Sequence, residues 1–265
     1  MVLRTNADVS SAFDDMTYVE TRKHHAMDQF ARTQLIFGPD GMDALAQARV
    51  AVFGLGGVGS HAAEALARSG IGTLDVIDHD VVSITNLNRQ SIATLSSVGR
   101  PKVEVMAERI ADINPHCQVH PHQCFYLPAS KDEIDLASFD YVIDCIDTTT
   151  GKLLIIEEAQ RVGTPVISCM GTANKLDPTA FEVADIYDTH ICPLAKIIRK
   201  ECRKRGVKAL KVVYSTEPTV DLYEDTSGEP CTRRSGIPGS NAFVPPVAGL
   251  IAAAEVVRDL VGLPR

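Results

Sequence analysis

The sequence is 265 residues long and carries a formal net charge of −8 at pH 7. That length suits one large α/β domain or two small ones, with room for a sizeable core. The acidic balance excludes a general attraction to nucleic acid, so a nucleic-acid partner would need a local basic patch. Hydrophobic residues (45%) and charged residues (23%) occur at ordinary frequencies for a globular protein.

The seven cysteines are scattered and form no C-x-x-C pair. Such a set predicts a reducing compartment and argues against a disulfide framework and a structural zinc site. Residues 1–27, the N-terminal extension, mix charged and apolar residues without a secretory signal. The longest uncharged run, 235–254, contains three prolines and three glycines and is a poor membrane span. We therefore predict a cytoplasmic protein without a membrane partner.

Apolar strands alternate with helical segments from residue 49 onward. The predicted strands are 49–54, 73–78, 141–147 and 165–170, and the predicted helices are 57–70, 101–114 and 151–162. Pro101 suits the first position of its helix, and Thr148 or Thr149 can cap the next helix. This alternation predicts a parallel sheet covered on both faces. The predicted fold class is α/β, with a Rossmann-like, doubly wound, mostly parallel sheet.

The pattern loosens beyond Gly171. The predicted elements there are strands 181–186 and 210–215, a basic helix 192–206, a loop 217–240 and an apolar helix 244–262. We interpret them as a C-terminal α/β elaboration of one domain, 28–265, whose nucleotide-binding core is 28–170 and whose substrate and partner region is 171–265. His61 and the histidines at 116–122 are interpreted as surface residues.

A glycine-rich turn links the first predicted strand to the first helix. Gly54, Gly56 and Gly59 fit the spacing G-x-G-x-x-G, with Gly57 between them. Glycines there permit a close approach of the backbone, and the helix N-terminus offers N–H groups to phosphate. Asp78 follows Gly59 by 19 residues, where a carboxylate can accept hydrogen bonds from ribose hydroxyls. Alone, these residues fit an NAD-dependent oxidoreductase best, and a tight turn without a ligand is the plain alternative.

Basic residues beyond the second strand favour a triphosphate. Asn86, Arg89 and Gln90 lie close together in the loop after that strand. An arginine there can bridge several phosphate oxygens. Lys102 stands in the first turn of a helix, where a cation opposes the helix dipole, and this suggests a phosphate contact. A solvated surface lysine is the alternative.

An acidic residue completes this set. Asp147 ends the predicted strand 141–147 and could hold Mg²⁺ between phosphates, or cap the following helix. Asp144 is expected to be structural. Acids, an arginine and a lysine around a glycine turn describe Mg·ATP better than NAD.

These motifs, in this order, resemble the adenylating domain of the ubiquitin-activating-enzyme-like (ThiF/MoeB/HesA) superfamily over residues 28–170. The family pattern is a glycine-rich turn, D-x-D-x-V, N-x-x-R-Q, G-x-P-K and D-C-x-D. The matching positions are 54–59, Asp78 with Asp80 and Val81, Asn86 with Arg89 and Gln90, Gly99 with Pro101 and Lys102, and 144–147.

The resemblance implies ATP and Mg²⁺ as cofactors and assigns roles to individual residues. Asp78 would bind ribose, and Asp147 would bind Mg²⁺. The phosphates would be bound by Asn86, Arg89 and Lys102. The family's N-terminal segment is matched around Arg32, which implies a homodimer in which Arg32 completes the partner's ATP site. The implied catalytic residues, which stabilise charge as pyrophosphate leaves, are Arg32, Arg89, Lys102 and Asp147.

Within the superfamily, the segments VGRPKVEVMAERIADINP, KLDPTAFEVADI and VVYSTEP resemble the branch that dehydrates threonylcarbamoyladenosine in tRNA. This extends the resemblance over nearly the whole chain. It implies ATP-dependent adenylation of the threonyl carboxylate beside the anticodon. Ring closure then follows with loss of AMP.

The chain departs from the sulfur-carrier activators of the same superfamily, which usually carry two C-x-x-C zinc pairs and a catalytic cysteine. Cys192 or Cys231 could be proposed as a nucleophile, but inert thiols are commoner, and Cys169 is expected in the core. Ring closure of an adenylate needs no enzyme thiol. Adenylation of a ubiquitin-like sulfur carrier, an NAD-dependent oxidoreductase and a non-enzymatic nucleotide-sensing scaffold remain alternatives. A sulfur-relay protein is a further candidate partner.

A basic stretch points to a polyanionic partner. Between Lys196 and Lys211 there are eight Lys or Arg residues and one acid. On the predicted helix 192–206, Ile191, Leu194, Ile198 and Cys202 would face the core, whereas Lys196, Arg199, Lys200, Arg203 and Lys204 would form a basic surface. We predict that this surface binds the tRNA phosphate backbone. A solvated amphipathic helix is the alternative, and an acidic carrier protein would suit the same surface.

Overall fold

A computed structural model describes residues 28–224 and 236–263. The predicted N-terminal extension 1–27 and Cys231 lie outside the described residues. Among the helices in those two ranges, none is long and apolar enough to cross a membrane.

Strands and helices alternate through the described chain. The strands are β1 (Arg49–Phe53), β2 (Thr73–Ile77), β3 (Gln118–His122), β4 (Tyr141–Asp144), β5 (Val166–Cys169), β6 (Phe181–Asp185) and β7 (Lys211–Ser215). The helices are α1 (Ala31–Gln47), α2 (Gly59–Ser69), α3 (Lys102–Ile113), α4 (Thr149–Val162), α5 (Pro193–Arg205) and α6 (Val244–Leu260). Short 3₁₀ turns occupy Ile84–Asn86, Leu95–Ser97, Lys131–Glu133, Leu136–Ser138 and Ile186–Asp188.

The strands form one sheet in the order β3-β2-β1-β4-β5-β7-β6. Neighbouring strands pair in parallel, except that β6 runs antiparallel to β7 at one edge. This confirms the predicted Rossmann-like α/β class. The order reverses between β1 and β4, and ligands of such sheets bind at that reversal, beyond the carboxyl ends of the strands.

The apolar runs are explained by two cores, one on each face of the sheet. In β1, Val50 and Val52 join the core beneath α2, α3 and α6, whereas Ala51 and Phe53 join the core beneath α4. All four are fully buried. A strand that is covered on both faces needs no polar face, so its sequence is continuously apolar.

Strand β3 was not predicted, and the segment 116–122 was interpreted as surface. The strand lies at the edge of the sheet, and its five residues are exposed or half-buried. Pro121 is tolerated because edge strands can leave an N–H position unpaired. The interpretation of these histidines as surface is wrong for His122, whose imidazole lies 2.8 Å from the buried Asp75 carboxylate.

Boundaries also differ at β4 and at its following helix. The strand ends at Asp144, so Asp147 lies in the loop beyond it and not at the strand's end. Helix α4 begins at Thr149 with Thr148 at the N-cap position, but the Thr148 side chain makes no capping hydrogen bond. Asp147 therefore lies in the loop that links β4 to α4.

Candidate active site

A cavity of about 820 Å³ opens at the carboxyl ends of the central strands. It is lined by ten of the eleven residues predicted to bind nucleotide: Gly54, Gly56, Gly57, Asp78, Asp80, Asn86, Arg89, Gln90, Lys102 and Asp147. The residues predicted to bind phosphate, ribose and a metal ion thus line one cavity, although they lie up to 93 residues apart in sequence.

The glycine turn is built by two different requirements. Gly54 has a φ of +87°, a backbone conformation that side chains disfavour. At Gly59, a Cβ atom would lie 1.7 Å from the carbonyl oxygen of Gly54. Gly59 does not line the cavity, so the structure places it as the close contact between turn and helix and not as a ligand contact.

Asp78 has a structural role that the sequence did not reveal. Its Oδ2 accepts a hydrogen bond from the backbone N–H of Leu55 at 2.7 Å, and its Oδ1 accepts one from the N–H of Asp80 at 2.8 Å. The carboxylate therefore fixes the glycine turn to the end of β2. It also lines the cavity, where it remains available to ribose hydroxyls.

Lys102 is not a surface residue, which removes the alternative of a solvated lysine. It is 5% exposed. Its Nζ donates to Asp80 Oδ2 at 2.8 Å and lies 3.7 Å from Asp78 Oδ2. Pro101 was predicted as the first helical residue but is the N-cap residue of α3, and Lys102 begins the helix, which brings its ammonium group to the cavity wall. The half-exposed Asp80 keeps this cation paired.

The loop after β2 positions Asn86, Arg89 and Gln90. Asn86 Oδ1 accepts from the N–H of Ser83 at 3.1 Å, and the Arg89 guanidinium donates to the carbonyl of Thr85 at 3.0 Å. Gln90 is buried, and its Oε1 has no hydrogen-bond partner within the described residues. The amide of Gln90 is therefore a polar group at the cavity wall that a ligand can satisfy.

His61 supports this loop and was wrongly interpreted as a surface residue. Its Nε2 lies 3.0 Å from the carbonyl oxygen of Arg89, and its side chain is half-buried. The contact links α2 to the loop that carries Arg89. In the sequence, His61 stands two residues after Gly59 and so in the same helical turn. That position does not predict a contact with Arg89.

Asp147 is exposed at the cavity wall, and a buried cluster lies beneath it. The Lys152 ammonium donates to Asp144 Oδ2 at 2.9 Å, and the Ser168 hydroxyl donates to the same oxygen at 2.6 Å. All three side chains are fully buried. Asp144 Oδ1 also accepts from the N–H of Ile146 at 3.3 Å, so the cluster holds the loop that presents Asp147. The prediction that Asp144 is structural is confirmed.

Cysteine chemistry finds little support in the cavity. Cys145 and Cys169 both line it, with their sulfurs 3.9 Å apart. The hydrogen bond to Cys169, together with burial, raises the pKa of the Cys145 thiol well above its ordinary value. Cys192 is buried at the start of α5. The raised pKa of Cys145 and the burial of Cys169 and Cys192 disfavour a nucleophilic role for these thiols.

The basic helix α5 was predicted correctly in position, but its faces need two corrections. Ile191 is exposed and precedes the helix, whereas Ala195 takes a place in the core. Arg199 is half-buried, because its guanidinium donates to the carbonyl and the hydroxyl of Thr189 at 2.7 and 2.6 Å. The other predicted contacts, Lys196, Lys200, Arg203 and Lys204, are exposed.

Two of these exposed cations have partners of their own. Lys204 forms an ion pair with Glu201 at 2.8 Å, and the guanidinium carbon of Arg203 lies 5.4 Å from the ring centroid of Tyr187. Exposed pairs of this kind are weak and can exchange for phosphate. Lys196 and Lys200 form no ion pair within the described residues, so they are the most available cations of α5.

Arg32 does not line the cavity of its own chain. It lies exposed in the first turn of α1, and Leu35 and Ile36 behind it are 86% and 74% exposed. The predicted role of Arg32 in a partner's ATP site therefore stays a prediction.

The fold and the cavity together define a class of protein. The sheet is doubly wound and has a glycine turn at its switch point, and cations and acids lie at the carboxyl ends of its strands. These features define a nucleotide-binding protein of the Rossmann-like class. Residues 29–265 match the ThiF family. The chain belongs to the ThiF family.

Individual relatives narrow the comparison. The chain is 47% identical over 239 residues to the tRNA threonylcarbamoyladenosine dehydratase of Bacillus subtilis, covering 88% of this chain and 94% of that protein. The Escherichia coli tRNA N6-threonylcarbamoyladenosine dehydratase, solved in complex with ATP, superposes with a TM-score of 0.79 at 34% identity, covering 88% of this chain and 94% of that chain. The Escherichia coli molybdopterin-synthase adenylyltransferase is 40% identical over 180 residues, which cover 65% of this chain and 70% of that protein.

Proposed function

We propose that this chain is an ATP-dependent dehydratase that acts on threonylcarbamoyladenosine in tRNA, beside the anticodon. The observation that carries the proposal is the 47% identity to the Bacillus subtilis dehydratase over 94% of that protein's length. The similarity to the molybdopterin-synthase adenylyltransferase spans less of the chain, 65%. The cavity supports the same reading, because its residues suit a triphosphate better than a nicotinamide dinucleotide.

Most of the polar residues predicted to bind nucleotide have a task with ATP. Asp78 accepts from the ribose hydroxyls, and the amide N–H groups of the glycine turn meet the phosphates. Arg89 and Lys102 stabilise the negative charge that grows on the leaving pyrophosphate, with Asn86 and Gln90 as additional polar contacts. Such fixed donors act in a cavity from which water is partly excluded, where their effect on the barrier is largest.

The chemistry proceeds in two substitutions. A carboxylate oxygen of the threonyl group attacks the α-phosphorus of ATP, and the bond to pyrophosphate breaks. A nucleophile within the same modified side chain then attacks the activated carbonyl carbon, and AMP leaves with the former carboxylate oxygen. The nucleophile's proton goes to solvent. The substrate therefore loses the elements of one water, with no oxidant and no enzyme thiol.

Asp147 fits a magnesium ion better than the other acids do. Mg²⁺ prefers oxygen ligands and is commonly held by one or two carboxylates together with phosphate oxygens. Asp78, His79 and Asp80 have ligand atoms within 4.8 Å of one another, but Lys102 already pairs with both of these carboxylates. We assign the ion to Asp147, where it would neutralise phosphate charge.

Partners follow from the two surfaces described above. The exposed lysines of α5 would bind tRNA phosphates. A homodimer would cover Leu35 and Ile36 and bring Arg32 to the partner's cavity, which explains why two large apolar side chains stand exposed beside that arginine. The division into a nucleotide-binding core, 28–170, and a substrate and partner region, 171–265, belongs to this proposal, and so does a cytoplasmic location.

The test is mass analysis of nucleosides from threonylcarbamoyladenosine-containing tRNA after incubation with protein, ATP and Mg²⁺. We expect loss of one water from the modified nucleoside, with one AMP formed for each product. Pyrophosphate exchange stimulated by a ubiquitin-like carrier, and not by this tRNA, would replace the proposal with sulfur-carrier activation. Tight binding of NADH without affinity for ATP would indicate an oxidoreductase. Binding of ATP and tRNA without turnover would indicate a sensing scaffold.

A further inference from the structure

We propose that the part of the cavity lined by the residues after β5 and by the start of α5 is the subsite for the modified nucleoside, and that the first turns of α5 form its apolar wall. The inference rests on the proposed function and adds to it the residues that select the base. It requires that the nucleoside leave the RNA stack and enter the cavity, as in other enzymes that act on bases.

The cavity wall divides by chemistry. Its charged residues, Asp78, Asp80, Arg89, Lys102 and Asp147, lie after β2, after β4 and at the start of α3. The lining residues that directly follow β5 and those at the start of α5 are uncharged: Met170, Gly171, Thr172, Ala173, Pro193, Leu194 and Ile197. An uncharged wall offers no electrostatic attraction to a triphosphate. A neutral, flat base can pack on it, because no charged group has to lose its hydration.

The proposed reaction requires two reactants in one cavity. A carboxylate must reach the α-phosphorus of a bound ATP, so the acceptor must lie in the same cavity of about 820 Å³ as the nucleotide. We assign the uncharged wall formed by the residues after β5 and the start of α5 to the acceptor.

Helix α5 exposes an apolar side chain where this base would pack. Leu194 and Ile197 are three residues apart, so they share one face of the helix and both line the cavity. Ile197 is 49% exposed, although its neighbour Ile198 is fully buried in the core. A half-exposed isoleucine at a cavity wall offers a surface to a base that has left the stack.

A strained turn leads into α5. The N–H of Cys192 donates to the carbonyl of His190 at 2.6 Å across Ile191, whose φ is +60°. A β-branched residue in that region of backbone space is strained and persists only where surrounding contacts enforce it. Two hydrogen bonds from Arg199 to Thr189 tie this turn to the helix.

The same helix continues from the subsite to the phosphate-binding surface. Lys196 precedes Ile197, Lys200 lies one turn beyond it, and both lysines are exposed. A base packed on Ile197 would place the adjoining phosphates near these two cations. Base recognition and backbone attraction would thus come from one rigid element.

The experiment compares Ile197→Ala and Ile197→Trp with Leu250→Ala, a control on α6 whose exposure, 48%, nearly equals that of Ile197 and which does not line the cavity. Conversion kinetics are measured with tRNA that carries threonylcarbamoyladenosine, and ATP affinity is measured by calorimetry without RNA. We expect Ile197→Ala to raise KM for the tRNA roughly tenfold, and Ile197→Trp to raise it further by filling the subsite. Both variants should bind ATP with unchanged affinity, and Leu250→Ala should behave as wild type.

Salt separates the apolar wall from the lysines. The effect of Ile197→Ala should persist when ionic strength is raised, since an apolar contact is not screened, whereas that of Lys200→Ala should shrink. An unchanged KM in both Ile197 variants, with wild-type conversion intact, would overturn the inference and leave the proposed function standing. Loss of ATP affinity in Ile197→Trp would also overturn it, because the wall would then belong to the nucleotide. Absence of conversion by the wild type would instead defeat the proposed function itself.

Discussion

The Lys102 ammonium lies 2.8 Å from one acid, Asp80, and 3.7 Å from another, Asp78, while it is almost completely buried. Before nucleotide binds, these carboxylates compensate the charge of a cation that has little contact with water. Asp78 is held by two backbone N–H groups, whereas Asp80 is half-exposed and can turn to solvent. Lys102 is thus paired with carboxylates at the position where we expect phosphate to bind.

Lys102→Ala should lower kcat/KM by about 10²-fold or more, because it removes a fixed donor to developing phosphate charge. The free energy of unfolding should fall by only about 1–2 kcal/mol, since the freed Asp80 can be solvated. Conversion kinetics and thermal unfolding check both values. Lys208→Ala, an exposed lysine beyond α5, is the matched control. Activity of Lys102→Ala within twofold of wild type would remove Lys102 from the site.

Asp147→Ala should abolish turnover of Mg·ATP without unfolding the protein, because Asp147 is exposed on a loop that Asp144 and Lys152 hold independently. Pyrophosphate release measures turnover, and circular dichroism measures the fold. Asp112→Ala, an exposed acid at the end of α3, should leave both unchanged. Retained Mg²⁺-dependent turnover in Asp147→Ala would show that the metal is held elsewhere.

Mixing Arg32→Ala with Lys102→Ala should restore activity that neither variant has alone. In a mixed dimer, the subunit that keeps Lys102 receives Arg32 from its partner, so one of the two sites is complete. With random pairing, about a quarter of all sites should be intact. Activity after co-expression, with each variant alone as control, measures this. No recovery, despite mixed dimers detected by mass, would show that Arg32 does not act across the interface.

Lys196→Ala and Lys200→Ala should each weaken tRNA binding and reduce the slope of log K against log salt by about 0.7–0.9. Both lysines are exposed and unpaired by acids within the described residues. Arg68→Ala provides the control, because Arg68 lies on α2, which packs on the opposite face of the sheet from α5. Equal slopes for all variants would place the RNA on another surface.

Acid stability should depend on Asp75. Burial opposes ionisation there, but hydrogen bonds from Arg49 at 2.8 Å and His122 at 2.8 Å hold the pKa of Asp75 below its usual value. A lowered carboxyl pKa contributes stability above about pH 4, and this contribution is lost as pH falls through the folded-state pKa. Asp75→Asn should therefore melt lower than wild type at pH 7, and the difference should narrow below pH 4. A difference independent of pH would contradict this, and Asp112→Asn should show none.

The sequence by itself determined the class of fold and most of the nucleotide site. Strands buried on both faces must be continuously apolar, so β1, β2, β4 and β5 could be predicted. Their alternation with helices predicted a parallel sheet. Glycine spacing and the acids and cations after the strands identified ten of the residues that line the cavity. These signals are local in sequence, because the polar residues that act at a strand's end follow that strand within a few residues.

Only the tertiary structure decided which charges are buried and what each group touches. Lys102 becomes a buried partner of two acids, Gly59 serves packing, Arg199 is tied to Thr189, and Lys152 binds Asp144 inside the protein. The edge strand β3 was also not predicted, because an exposed strand needs no apolar run. The burial and pairing of a side chain depend on residues that are distant in sequence. A local sequence pattern therefore does not predict them.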